Sequence, residues 1–105
     1  NNYLYESLER VKYYFLMYAM IAIFIYASNP VPSTSRGTLV YDNFELCKEA
    51  LRKEVKNAEI VGSVEGDIVK ASLKVDEFGD LYLEKINKTK KSKTYKYCNP
   101  LHKVD

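Results

Sequence analysis

The sequence lacks the residue sets that enzymes and metal sites require. His102 is the only histidine, and the two cysteines are far apart in the chain and form no C-x-x-C motif. A metal site needs several converging ligands, and catalysis needs an acid, a base or a nucleophile held together. No serine occupies a recognisable nucleophile turn. The sequence therefore predicts no enzyme activity, no catalytic residue, no metal site and no cofactor.

Charge is absent from one long segment near the start of the chain. Residues 13–35 contain no charged side chain, and every residue from Tyr13 to Ala27 is apolar or Tyr. A helix over residues 13–27 would be about 22 Å long, which is shorter than a hydrocarbon core of about 30 Å. We expect it to extend backwards into the preceding residues, and we predict an N-terminal apolar helix and membrane anchor over residues 1–29.

The side chains of this helix are expected to contact lipid or partner helices. They are Tyr13, Tyr14, Phe15, Leu16, Tyr18, Ile21, Phe24 and Tyr26. Arg10 and Lys12 precede the segment and only Arg36 follows it closely, which favours a cytoplasmic N-terminus and an extracytoplasmic C-terminal domain.

Two other interpretations of the same segment remain. A secretory signal is disfavoured, because Ile25, Tyr26 and Ala27 form a poor cleavage site and two acidic residues precede it. A helix buried in a larger assembly or filament is compatible with a run of this length. Pro30 and Pro32 make helix beyond Asn29 unfavourable.

The remainder of the chain predicts a short tether and a small domain. Residues 30–37 have the Ser, Pro and Gly content of a linker, and residues 38–105 have the pattern of an α+β domain. Within this domain, residues 38–41 are expected to form the first strand. Asp42 and Glu45 have the spacing of a helix capping box, and the helix is expected to end near Lys56 or Asn57.

Strands and their connecting turns are predicted after the helix, over residues 58–87. Val69, Ala71, Leu73 and Val75 alternate with polar residues, which indicates a half-buried strand. Residues 65–67 and 76–80 carry turn residues, and residues 93–98 form a last strand. The predicted order is β-α-β-β-β-β, an antiparallel sheet with one helix packed on it.

Two cysteines stand at opposite ends of the predicted domain. A bridge between Cys47 and Cys98 would stabilise so small a domain by about 4 kcal/mol and would imply an oxidising compartment. One detail opposes the bridge, since strict alternation puts Cys98 on the face of Lys96 and opposite Tyr95 and Tyr97. We predict a structural disulfide, with two reduced thiols as the alternative.

Lysines are concentrated near the C-terminus. Residues 37–84 carry six basic and eleven acidic side chains, whereas residues 85–96 carry six lysines and no acid. We expect a solvated hairpin loop whose charges protect a sheet edge. A weak contact with anionic lipid head groups or another polyanion is the alternative, and sequence-specific nucleic-acid binding is not expected. The candidate contacts are Lys88, Lys90, Lys91, Lys93 and Lys96.

These features favour a non-enzymatic, membrane-anchored accessory or structural subunit. Its disulfide-tied domain would lie outside the cytoplasm and make protein contacts within a larger assembly, beside membrane lipid and other membrane subunits. A filament or pilus-like subunit, with the apolar helix in a shared core and a β-rich head outside, is the first alternative. A small membrane-anchored inhibitor or exclusion factor is the second.

Overall fold

The protein folds as one helix on a five-stranded antiparallel sheet. A computed structural model describes residues 17–101 of the 105-residue chain. The strands lie side by side in the order β2-β1-β5-β4-β3. The elements, in chain order, are β1 (Met17–Tyr26), β2 (Asn29–Tyr41), α1 (Phe44–Val64), β3 (Val69–Val75), β4 (Leu81–Asn87) and β5 (Ser92–Leu101). The α+β class is confirmed, and the observed element order is β-β-α-β-β-β.

The predicted N-terminal apolar helix is wrong for residues 17–26, which form strand β1. β1 lies in the sheet between β2 and β5, and Ile21, Ile23 and Ile25 are β-branched residues that favour strands. Periodicity alone does not separate a buried strand from a buried helix in a continuous apolar run. The rest of that prediction, including Tyr13 to Leu16, falls outside the described residues. Among residues 17–101, no helix combines the length and the hydrophobicity that crossing a membrane requires.

Residues 30–37, for which a tether is predicted, lie in the edge strand β2. Pro30 and Pro32 are compatible with this position, because proline is tolerated in strands that have a neighbour on one side only. Residues 38–41, the predicted first strand, are the end of β2. The pairing with β1 is irregular between Ala19 and Ile21, where three residues of β2 lie opposite one of β1. This bulge bends the strand.

Helix α1 begins one residue later and ends about two turns later than predicted. Asn43, and not Asp42, caps its start, since the Asn43 Oδ1 accepts a hydrogen bond from the Leu46 backbone N–H at 2.9 Å. Residues 58–64, for which a strand is predicted, continue the helix. It ends where Gly66 adopts a positive φ of 80°, a conformation that glycine adopts at low cost.

The core lies between α1 and the face of the sheet beneath it. Cys47 and Leu51 of α1 have no exposed surface, and Leu83 of β4 and Met20 of β1 pack against them. The predicted disulfide is confirmed, because Cys47 is bonded to Cys98 of β5. The bond therefore ties the first turns of α1 directly to the middle of the sheet.

The C-terminal end of α1 is fixed by a close approach between its backbone at Gly62 and the side chain of Val69. Gly62 is buried, and a Cβ added there would lie 2.9 Å from the Cβ of Val69 and closer still to its Cγ2. The missing side chain lets the last turns of α1 rest on the first residue of β3. Together with the disulfide, this contact sets the direction in which the helix crosses the sheet.

Candidate interaction surface

Helix α1 covers only one face of the sheet, and no other described element lies on the opposite face. Side chains alternate between the faces. Met20 and Leu83 pack against α1. Their partners in the neighbouring strand, Cys98 and Lys96, point to the same side of the sheet, which is called the helix side. The opposite face, here called the open face, carries their sequence neighbours. The apolar and aromatic residues at its centre are Ile21, Ile23, Ile25, Tyr82, Ile86, Tyr95 and Tyr97.

Three tyrosines form a connected group on the open face. The rings of Tyr82 and Tyr97 stack with their centroids 5.1 Å apart, and the centroid of the Tyr95 ring lies 6.1 Å from that of Tyr82. All three side chains are half-buried by their strand neighbours. Aromatic pairs of this kind have few accessible conformations, and tyrosine combines a large apolar ring with a polar tip. The group is therefore an ordered cluster of apolar rings with polar hydroxyl tips.

Basic residues surround this apolar centre. Arg36 pairs with Ile21 across the sheet, and Lys70 and Lys93 both pair with Ile86, so the register places all three on the open face. Lys74 belongs to the same face, and its ammonium lies 2.8 Å from the Glu84 carboxylate.

The ionisation states of this surface follow from its contacts. The hydrogen bond and charge of Glu84 raise the pKa of the Lys74 ammonium. Burial among its neighbours raises the pKa of the Tyr97 hydroxyl, and the Asp76 carboxylate acts in the same direction. Both shifts favour a charged Lys74 and a neutral Tyr97 hydroxyl at neutral pH.

Both edges of the sheet are poorly suited to pairing with another strand. On β2, Pro30 and Pro32 lack a backbone N–H, and the bulge opposite Met20 interrupts the ladder. On β3, Lys70 and Lys74 are exposed on a strand of only seven residues. Prolines, bulges and lysines are the devices that keep sheet edges from adding strands. The open face, and not an edge, is therefore the surface available for a large contact.

The residues predicted to contact lipid or partner helices do not lie on one common surface in the described part of the chain. Tyr13, Tyr14, Phe15 and Leu16 lie outside the described residues. Tyr18 and Phe24 are on the helix side of β1, where Tyr18 packs edge-on against Phe44 at 5.5 Å. Ile21 lies on the open face, and Tyr26 ends β1 with 46% of its surface exposed. The sequence did not identify the tyrosines of β4 and β5, although the alternation of Tyr95 and Tyr97 with Lys96 was a usable signal in β5.

The structure also separates the predicted lysines. Lys88, Lys90 and Lys91 lie in the turn between β4 and β5, and Lys93 lies in β5 next to it. Lys96 is on the other face of the sheet, where its ammonium contacts the Glu54 carboxylate of α1 at 3.0 Å. The five lysines predicted as one group therefore occupy two sites, and Lys96 is part of the helix–sheet contact.

The turn that carries these lysines is held in place by Asp67. The side chain of Asp67 is only 6% exposed; it accepts a hydrogen bond from the Asn87 Nδ2 at 3.0 Å and lies 3.4 Å from the Lys90 ammonium. The hydrogen bond from Asn87, followed by the contacts from Lys90, lowers the pKa of the Asp67 carboxyl despite the opposing effect of burial. Asp67 is thus ionised at neutral pH and fixes the lysine turn.

One cleft in the described part of the chain has a volume of about 750 Å³ and is lined by residues of α1 and of the sheet. The ionisable residues that line it are Lys48, Arg52, Asp80 and Tyr97, and no histidine or free thiol is among them. Residues 17–101 also contain no group of three or more metal-ligating side chains.

No protein-family model, curated protein or solved structure matches the chain. Its function is therefore argued from the geometry of the described residues alone.

Proposed function

We propose that the protein is a non-enzymatic, extracytoplasmic subunit that binds a partner protein of a membrane-associated assembly through its open face. The observation that carries the proposal is the half-buried group of four isoleucines and three tyrosines across β1, β5 and β4. Contiguous apolar surface of this kind commonly marks a binding site, and tyrosine is enriched in the centres of interfaces.

The charge of the rim supports a partner of opposite sign. Arg36, Lys70 and Lys93 border the apolar centre, and Glu84 is neutralised by Lys74. Two open faces stacked on each other would bring like charges together, which opposes self-association through this surface. The partner would instead present an apolar centre flanked by acidic side chains.

The disulfide supports the location. Protein disulfides persist in oxidising compartments and are rare where thiols are kept reduced. The bond between Cys47 and Cys98 therefore favours a position outside the cytoplasm. The prolines, the bulge and the lysines at the sheet edges disfavour growth of a filament by strand pairing. They favour a complex with a fixed number of subunits.

Site-specific photo-crosslinking in the native host tests this proposal. A benzophenone amino acid is placed at Tyr97 on the open face or at Leu46, which is 49% exposed on α1. We expect one discrete adduct with another protein from position 97 and none from position 46. The charge reversal Lys70→Glu should weaken the adduct from position 97 at least about fivefold while leaving the fold intact.

Three results would contradict the proposal. Equal adducts from both positions would indicate random collisions. No adduct from position 97 would leave the open face without a partner. An adduct with residues 1–16 of the same chain would show that the protein covers this face itself.

A further inference from the structure

One end of the molecule combines exposed aliphatic side chains with lysines. Val64 at the end of α1 is 84% exposed, and Ile68 in the loop before β3 is 65% exposed. The turn between β4 and β5 carries Lys88, Lys90 and Lys91 and is hydrogen-bonded to Ile68. These five residues are here called the lysine end.

Hydrogen bonds fix the two parts of the lysine end to each other. The Lys88 backbone N–H donates to the Ile68 carbonyl oxygen, and the Ile68 N–H donates to the Thr89 Oγ1, both at 2.8 Å. Asp67 binds Lys90 in the same turn. The backbone at Ile68 and the turn that carries the lysines are therefore held next to each other.

The turn between β1 and β2 extends this surface on the other side. The Ala27 backbone N–H donates to the Lys91 carbonyl oxygen at 3.0 Å, which places Tyr26 and the lysine turn next to each other. Val31 in the following strand is 72% exposed. Tyrosine is enriched where lipid meets water, because its ring is apolar and its hydroxyl is polar.

The charge near the lysine end is positive. Lys88, Lys90, Lys91 and Lys93 stand against Asp67 and Glu65, a balance of four basic to two acidic residues, and Asp67 is already paired with Lys90. Exposed aliphatic side chains next to lysines suit an anionic bilayer, where the apolar groups enter the interface and the ammonium groups meet lipid phosphates. A soluble polyanion would make no use of Val64 and Ile68.

We infer that the lysine end binds the surface of an anionic lipid bilayer. This contact shares only Lys93 with the open face and requires no membrane-spanning helix. It places Val64, Ile68 and Tyr26 at the level of the head groups. The protein contact proposed for the open face would remain accessible beside the membrane.

Vesicle sedimentation with the full-length protein tests the inference. The probes are phosphatidylcholine vesicles with and without phosphatidylglycerol. We expect stronger binding to the anionic vesicles and weaker binding as salt is raised. Lys88→Gln with Lys91→Gln should reduce binding roughly 25-fold, at about fivefold per lysine. Val64→Ser with Ile68→Ser should reduce it at least about tenfold.

A matched pair on the exposed side of α1 is the control. Lys53→Gln with Lys56→Gln removes the same charge away from the lysine end, and we expect binding to stay within about twofold of the unmodified protein. An equal loss of vesicle binding in this control would show that net charge alone, and not the lysine end, determines binding. Unchanged binding in both lysine-end pairs would assign vesicle binding to another part of the chain. Loss with the lysine pair but not with the aliphatic pair would indicate a general anion surface. Each of these results overturns the inference.

Discussion

Removing the disulfide by replacing Cys47 and Cys98 with alanine is expected to lower the free energy of unfolding by about 4 kcal/mol. The two cysteines are 51 residues apart in the sequence, so the bond restricts a large loop of the unfolded chain. Domains of this size have total stabilities of about 5–15 kcal/mol. The double variant should therefore unfold at a much lower urea concentration in equilibrium denaturation followed by circular dichroism.

Reduction provides the control for this prediction. A thiol reductant should lower the stability of the unmodified protein and leave that of the double alanine variant unchanged, because only the former contains a bond to reduce. An unmodified protein with the same urea midpoint in the presence and absence of reductant would show that the bond contributes nothing to the fold.

Replacing Leu51 with alanine is expected to cost about 3 kcal/mol of unfolding free energy. Leu51 is fully buried on α1, next to Cys47 and against Leu83 of β4. Truncation removes apolar contacts and leaves a cavity that the disulfide-tied helix and sheet are poorly able to close. Thermal denaturation of the oxidised protein measures the effect.

Leu46→Ala is the matched control for the same chemical change. Leu46 lies on the same helix but is 49% exposed, so we expect a loss of about 1 kcal/mol or less. Equal losses at the two positions would contradict the assignment of the core to the face of α1 that carries Cys47 and Leu51.

The second half of the chain was largely predictable from local patterns. The alternation in residues 69–75 and the turn at residues 76–80 identify β3 and its hairpin, because one face of the strand is polar. The disulfide was predictable from the position of its cysteines, although strict alternation along β5 argues against it. Cys98 does share a face with Lys96, but that face is the one beneath α1. The tyrosines, which resemble core residues, are on the open face.

The first half was not predictable in the same way. β1 has apolar side chains on both faces, so no alternation of polarity separates strand from helix. Pro30 and Pro32 in β2 resemble linker residues until the strand is known to lie at an edge. The lysine end depends on the contact between Ile68 and Thr89, which are 21 residues apart. No local pattern records that contact.

The central claim is that a partner protein covers the open face, and tyrosine modification in the native assembly tests it most directly. The assembly and the isolated chain are treated with the same tyrosine-selective reagent, and each site is quantified by mass spectrometry. We expect Tyr82, Tyr95 and Tyr97 to be strongly protected in the assembly and reactive in the isolated chain. Tyr41, which pairs with Tyr18 on the helix side of the sheet, serves as the reference. Equal reactivity of the three tyrosines in both samples would contradict the account.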